Sequence, residues 1–135
     1  NAISIYFNAT AGVRFNNVSA VTDGGADIAA SNGTIHIVDA VIPLPSVASH
    51  AAANADFSSL VTALGAADGD LIGDLTGEGT FTVLAPDNAA FSEFLGDTDL
   101  GNVNTAVLRR ILLNHVLDAD LGAVRSADLV IFENG

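Results

Sequence analysis

The stretch Thr80-Phe81-Thr82-Val83-Leu84-Ala85-Pro86-Asp87-Asn88-Ala89-Ala90-Phe91 changes structure within a single short run. Thr80 to Ala85 alternates with the two-residue period of a half-buried strand, and Pro86, which has no N–H to give a ladder, stops it. Asp87 is placed to cap a helix, and Phe91, Phe94 and Leu95 then fall on one helical face. The rest of the chain can be read outward from this capped turn.

Downstream, the clearest helix is predicted from Asn104 to Leu117. Its stripe of Val107, Leu108, Ile111, Leu112, His115 and Val116 turns His115 toward the core and leaves Arg109 and Arg110 outside. Upstream, Phe57, Leu60, Val61 and Leu64 recur at i, i+3, i+4 and i+7, with Asp56 placed to cap that turn. Gly65 to Gly79 reads as a loop with scattered Asp and Gly. Residues 1–42 read as β-rich. Ile3, Ile5 and Phe7 alternate with Ser4 and Tyr6, Asn8 to Gly12 turns, and Val13-Arg14-Phe15 extends again. A loop at Asp23-Gly24-Gly25 precedes Ala26-Asp27-Ile28. Asn32-Gly33 then turns into Thr34 to Ile42, the longest β-branched run, which Pro43-Leu44-Pro45 ends. Strand and helix signals are segregated along the chain, which predicts an α+β domain.

The two ends read as halves of one hairpin. Leu129 to Phe132 is an apolar run leading into Asn134-Gly135, a strong hairpin-turn signal, and Asn1 to Phe7 reads as a strand without a preceding partner. The sequence is therefore expected to be a whole domain's worth of residues from a processed or excerpted chain, opened at an unusual place, with 135 residues as the period of a longer repeat protein.

Composition narrows the function classes. Sixteen acids face four arginines and no lysine, giving a formal charge of −12. That field disfavours nucleic acid and anionic membrane surfaces, and no apolar run approaches the roughly 20 residues of a membrane span. Cysteine is absent, so neither a disulfide frame nor thiol chemistry is available.

Three stretches together resemble the fasciclin domain family of extracellular adhesion modules. Residues 80–91 resemble its first signature motif, through Thr80, Phe81, Ala85, Pro86 and Phe91. Ile111-Leu112-Leu113-Asn114-His115-Val116-Leu117 resembles its central histidine motif, with Asn114 where Tyr often stands. Residues 32–43, with Asn32, Gly33, His36 and Asp39, resemble its closing motif, and Ser46 to Leu64 is similar to its opening helices. The resemblance covers essentially the whole chain. It implies a β-wedge with packed α-helices, and it departs from the family in order, because the closing motif comes first. Read as 46–135 followed by 1–45, the segments make an ordinary domain in circularly permuted order. Residues 1–45 are then its C-terminal β part, and 46–135 its N-terminal helical and first-strand part.

Other constellations have two readings each. His36 and His115 with Asp39 or Asp87 could form a metal or acid–base site. Alternatively, each histidine is a hydrogen-bonded core residue; we favour this reading and expect no catalytic or metal residues. Asp68-Gly69-Asp70 with Asp74, and Asp97 with Asp99, lack the acidic spacing of an EF-hand and read as solvated loops. Arg109 and Arg110 read as exposed helix residues. Of three N-x-S/T sequons, Asn8 and Asn17 lie in or beside turns and are the glycosylation candidates, while Asn32 is the poorest.

The resemblance implies a non-enzymatic extracellular or cell-surface adhesion or matrix module, without cofactor, that meets protein or glycan partners and copies of itself or adjacent repeats. The alternative is a self-assembling filament subunit in which neighbours complete each other's sheet. A small-ligand or metal-binding domain is the third reading.

Overall fold

The computed structural model describes residues 5–10 and 12–117. The proposed terminal strand and Asn-Gly turn at 129–135, and the start of the opening strand, lie outside the described residues. Two units are distinguished, Asn1–Asn54 and Ala55–Gly135.

The first unit is mostly short strands. β1 (Phe7–Asn8), β2 (Arg14–Phe15) and β3 (Ser19–Ala20) form an antiparallel sheet in that order. Asn16-Asn17-Val18 joins β2 to β3, with φ of 48° and 56° at the two asparagines and a Val18 N–H bond to the Phe15 carbonyl at 3.0 Å. Left-handed backbone at both central positions is what a type I′ hairpin needs, and Asn tolerates it because its short amide bonds locally. Asn16 is 6% exposed, and its side-chain oxygen accepts the Tyr6 N–H at 2.9 Å while its own N–H reaches the Tyr6 carbonyl at 2.7 Å.

β4 (Ile28–Ala30) pairs antiparallel with β5 (Gly33–Ile35), Ile28 opposite Ile35 and Ala30 opposite Gly33. The turn residues are therefore Ser31 and Asn32, not Asn32-Gly33. Gly33 lies in the ladder without a positive φ, and a Cβ there would meet nothing within 4 Å. The expected strand through Ile42 is also shorter. After Ile35 the chain makes a single bridge, Val38 to Val21, before Asp39 turns it against β3. The β-branched composition favoured extension, but a ladder also needs a partner strand, and its backbone bonds here go to Thr22, Gly25 and Ala20 one at a time. α1 (Val47–Ala53), capped by Ser46 through the Ser49 N–H, completes this unit and buries Ala48.

The second unit is a helical cluster around α2 (Ser58–Ala66), which packs against α3 (Leu71–Thr76), α4 (Asn88–Leu95) and α5 (Thr105–Leu113). Leu60, Ala63, Leu64, Leu71, Leu75, Phe91, Leu108 and Leu112 form its buried core. The expected loop from Gly65 to Gly79 contains α3. Its signal was the pair Leu71 and Leu75 at i, i+4 behind Asp70, whose carboxylate caps the helix from Gly73 N–H at 2.9 Å. The helix predicted through Leu117 ends earlier. Asn104 caps α5 by accepting from Ala106 and Val107 at 3.1 Å each, Asn114 closes it, and Val116–Leu117 becomes β7. β7 pairs antiparallel with β6 (Thr82–Val83), a stronger demand on those backbone groups than another helical turn.

Candidate functional site

The first two motif segments meet across the β6–β7 ladder. Thr82 stands opposite Leu117 and Val83 opposite Val116, and the Leu84 N–H continues the pairing to the His115 carbonyl at 2.8 Å. Pro86 then ends the strand run, and Asp87 caps α4 by accepting the Ala90 N–H at 2.8 Å. Phe91 is buried one turn later, as the helical spacing requires, whereas Phe94 on the next turn is 57% exposed.

Asn88 does what the sequence did not reveal. Its Oδ1 accepts the Ser59 N–H at 2.9 Å and the Ser58 hydroxyl at 3.2 Å, while its Nδ2 donates to the Ala55 carbonyl at 2.9 Å. Asp56, expected to cap this helix, lies instead in the preceding 3₁₀ turn, and Phe57 occupies the cap position without a side-chain bond. Asn88 thus supplies the cap of α2 from the start of α4. No local pattern reveals a cap some thirty residues away along the chain. Replacing Asn88 by Ala removes three bonds and is expected to cost about 1–2 kcal/mol in urea unfolding, whereas Asn88→Asp retains the acceptor and should lose less.

His115 stands where α5 gives way to β7. Its Nδ1 lies 2.9 Å from the Ile111 carbonyl. A carbonyl can only accept, so Nδ1 carries the proton and neutral His115 has its lone pair on Nε2. The ring is half-buried and lines a small cleft of about 150 Å³ with Pro86, Phe91, Phe94, Leu108 and Ile111. A second cleft, of about 270 Å³, runs along Leu64, Leu71, Leu75, Phe81, Leu112 and Val116. Both are mostly apolar, with Asp74 at the edge of the larger and His115 in the smaller, and they offer surface for contact with apolar side chains. Asn114 is exposed beside His115, Ala85 is exposed before Pro86, and Thr80 is exposed ahead of β6.

The closing-motif residues belong to the first unit. Asp39 accepts the Ala20 N–H at 2.7 Å and returns its own N–H to the Ala20 carbonyl at 3.0 Å. Ser19, fully buried, donates its hydroxyl to the Ala40 carbonyl at 2.8 Å and lies 3.4 Å from Asp39 Oδ1. This clamp fastens the segment after β5 onto β3, and Ser19 was visible in the sequence only as part of a sequon. His36 is not the buried core residue expected. Its side chain is 41% exposed, like the residues of β4 and β5 themselves, and its Nδ1 accepts the Asp27 N–H at 3.2 Å.

The residues of the conceivable acid–base or metal set are therefore each engaged in local structure. Asp87 caps α4, Asp39 clamps β3, His36 holds the left-handed Asp27, and His115 closes α5. Asp70 and Asp99 from the acidic loops are also helix caps. Among the described residues no three His, Asp or Glu side chains converge as metal ligands would. Arg109 is likewise more committed than expected. It is half-buried and donates to the Asp68 carbonyl at 2.8 Å, beside Gly69, where a Cβ would collide with the guanidinium.

The family model for the Fasciclin domain matches residues 55–131, more than half of the chain, and the chain belongs to that family. Human (Homo sapiens) periostin is similar over 101 residues at 35% identity, a match covering 71% of this chain and 11% of periostin. The chain thus spans a small part of that relative's length.

Proposed function

We propose that the chain is a non-enzymatic extracellular adhesion or matrix module that binds protein or glycan partners through its folded surface. The observation carrying this reading is the chain's membership in the fasciclin family; within the chain, His36, His115, Asp39 and Asp87 are each engaged in local structure. Apolar clefts and an exposed Phe94 offer contact surface instead. The −12 charge directs the module away from polyanions, and among the described residues no helix is long and apolar enough to cross a membrane. Binding of soluble matrix proteins and glycans to the immobilised chain tests it. Saturable binding to at least one such partner is the expected result; hydrolysis or turnover of a partner would replace this reading with an enzymatic one.

A second reading concerns assembly, and one observation favours it. The β-rich unit presents Ile35, Ile37, Val41 and Leu44 with exposures of 55%, 51%, 89% and 78%. Four large apolar residues exposed along the one segment 35–44 offer surface for contact. With the closing motif ahead of the opening helices, a neighbouring copy or adjacent repeat is the natural source of cover, each unit completing the next. Light scattering across a concentration series tests this: mass that grows with concentration supports completion between chains, and a constant monomer mass at every concentration refutes it.

A further inference from the structure

The three sequons have identical motif chemistry but different structural settings. Asn8-Ala9-Thr10 ends β1. Asn8 and Thr10 are both exposed, and Asn8 Oδ1 accepts the Thr10 N–H at 2.8 Å. This local turn draws the acceptor amide and the residue two positions on together. It occupies the amide oxygen and leaves the Asn8 Nδ2 without a hydrogen bond among the described residues. In Asn17-Val18-Ser19 the last residue is fully buried, with its hydroxyl bonded to the Ala40 carbonyl and beside Asp39. Asn17 itself is locked in the left-handed turn between β2 and β3. In Asn32-Gly33-Thr34, Gly33 and Thr34 are paired in the β4–β5 ladder with Ala30 and Ala29. The Asn8 sequon is paired through its backbone as well, Asn8 with Arg14 and Thr10 with Gly12, and Thr10 and Thr34 are both exposed. What sets Asn8 apart is its turn onto Thr10, and what sets Asn17 apart is the buried Ser19 hydroxyl.

We infer that Asn8 is an N-glycan acceptor, and that it is occupied in preference to Asn17. The co-reactant is an oligosaccharide linked to a lipid through pyrophosphate. Asn8 Nδ2 forms a bond to the anomeric carbon, the bond from that carbon to the pyrophosphate oxygen breaks, the lipid pyrophosphate leaves with the electron pair, and Nδ2 gives up one proton. A glycan at the β1 end adds a bulky, hydrated group to the β-rich unit. The inference rests on the extracellular reading, since the transfer occurs on the secretory route.

The test is secretion of the full chain from an N-glycosylating eukaryotic cell behind a heterologous signal sequence, followed by mass spectrometry. Glycan removal by peptide N-glycosidase in heavy-oxygen water marks each formerly occupied Asn as Asp. A glycan mass on the secreted chain with the mark at Asn8 is expected. Asn8→Gln and Thr10→Ala should each abolish that mark, while Thr10→Ser, which keeps the hydroxyl, retains it. An unmarked Asn8 in the secreted wild-type chain overturns the inference, as does a mark at Asn17 equal to or stronger than that at Asn8. Attachment of cells to an unglycosylated chain made in bacteria is a separate readout. If it succeeds while Asn8 is unmarked, the glycan inference alone has failed; if it fails, the adhesion reading has failed.

Discussion

Leu108→Ala is expected to lower the stability of the helical unit by about 2–5 kcal/mol. Leu108 is 1% exposed and lies on the face of α5 that packs toward α2. Truncation loses the transfer free energy of the removed carbons. It also opens a void, and the void joins the cleft already present between Phe91, Ile111 and His115, whose volume is about 150 Å³. Neighbours that already border empty space have little to collapse onto, so the cost should fall in the upper part of that range. Because His115 and Phe91 share this lining, the β6–β7 junction should loosen with the core. The measurement is a urea titration followed by circular dichroism, with Leu113→Ala as the comparison. Leu113 is 43% exposed on the same helix, so its truncation should shift the midpoint far less. Equal shifts would show that α5 is not packed as described.

The second large effect is expected in the β-rich unit, from Gly25→Ala. Gly25 is buried and has no positive φ, so alanine meets no backbone penalty there. The obstacle is space. A Cβ at Gly25 would stand 2.8 Å from Ile37 Cβ and 3.1 Å from the Ile37 carbonyl oxygen. Ile37 cannot simply retreat, because its N–H is bonded to the Gly25 carbonyl at 2.7 Å and its carbonyl accepts the Thr22 N–H at 3.0 Å. Separating the two strands breaks those bonds, so overpacking should cost about 1–3 kcal/mol. Gly33→Ala is the contrasting case, in the same unit and inside a ladder. Its Cβ would enter open space, and the loss of unfolded-chain entropy makes a small gain or no change the expected result. A Gly33 variant less stable than the Gly25 variant would contradict the assignment of close approach.

These two sites show what the sequence could and could not reveal. The helical unit was legible where burial repeats every three or four residues: Leu60 and Leu64, Phe91, Leu108 and Leu112 all lie in the core. Asp87 was legible as a cap because its partner, Ala90, is three residues away. Asn88 was not, since the N–H it caps belongs to another helix. α5 was overextended because the apolar stripe continues through Val116 without a visible stop. What ends it is the ladder with Thr82 and Val83, a contact that periodicity does not encode. In the β-rich unit, composition promised one long strand after Gly33. The chain instead spends its backbone bonds on separate partners, and the Ser19–Asp39 clamp that fixes it links residues twenty positions apart. The motif resemblance located the histidines and aspartates, but only their hydrogen bonds revealed what each one holds in place. His36, expected in the core, is exposed because the two-stranded β4–β5 sheet that leads to it buries none of its own residues.

Cell attachment measures adhesion through the folded surface most directly. Surfaces coated with the full chain should retain adherent cells in proportion to coating density. Retention should survive Asp87→Asn, which keeps an oxygen to cap α4 while removing the charge, and should fall with the unfolding variant Leu108→Ala. Retention no greater than on an inert protein coat, from a chain shown to be folded, would contradict the account.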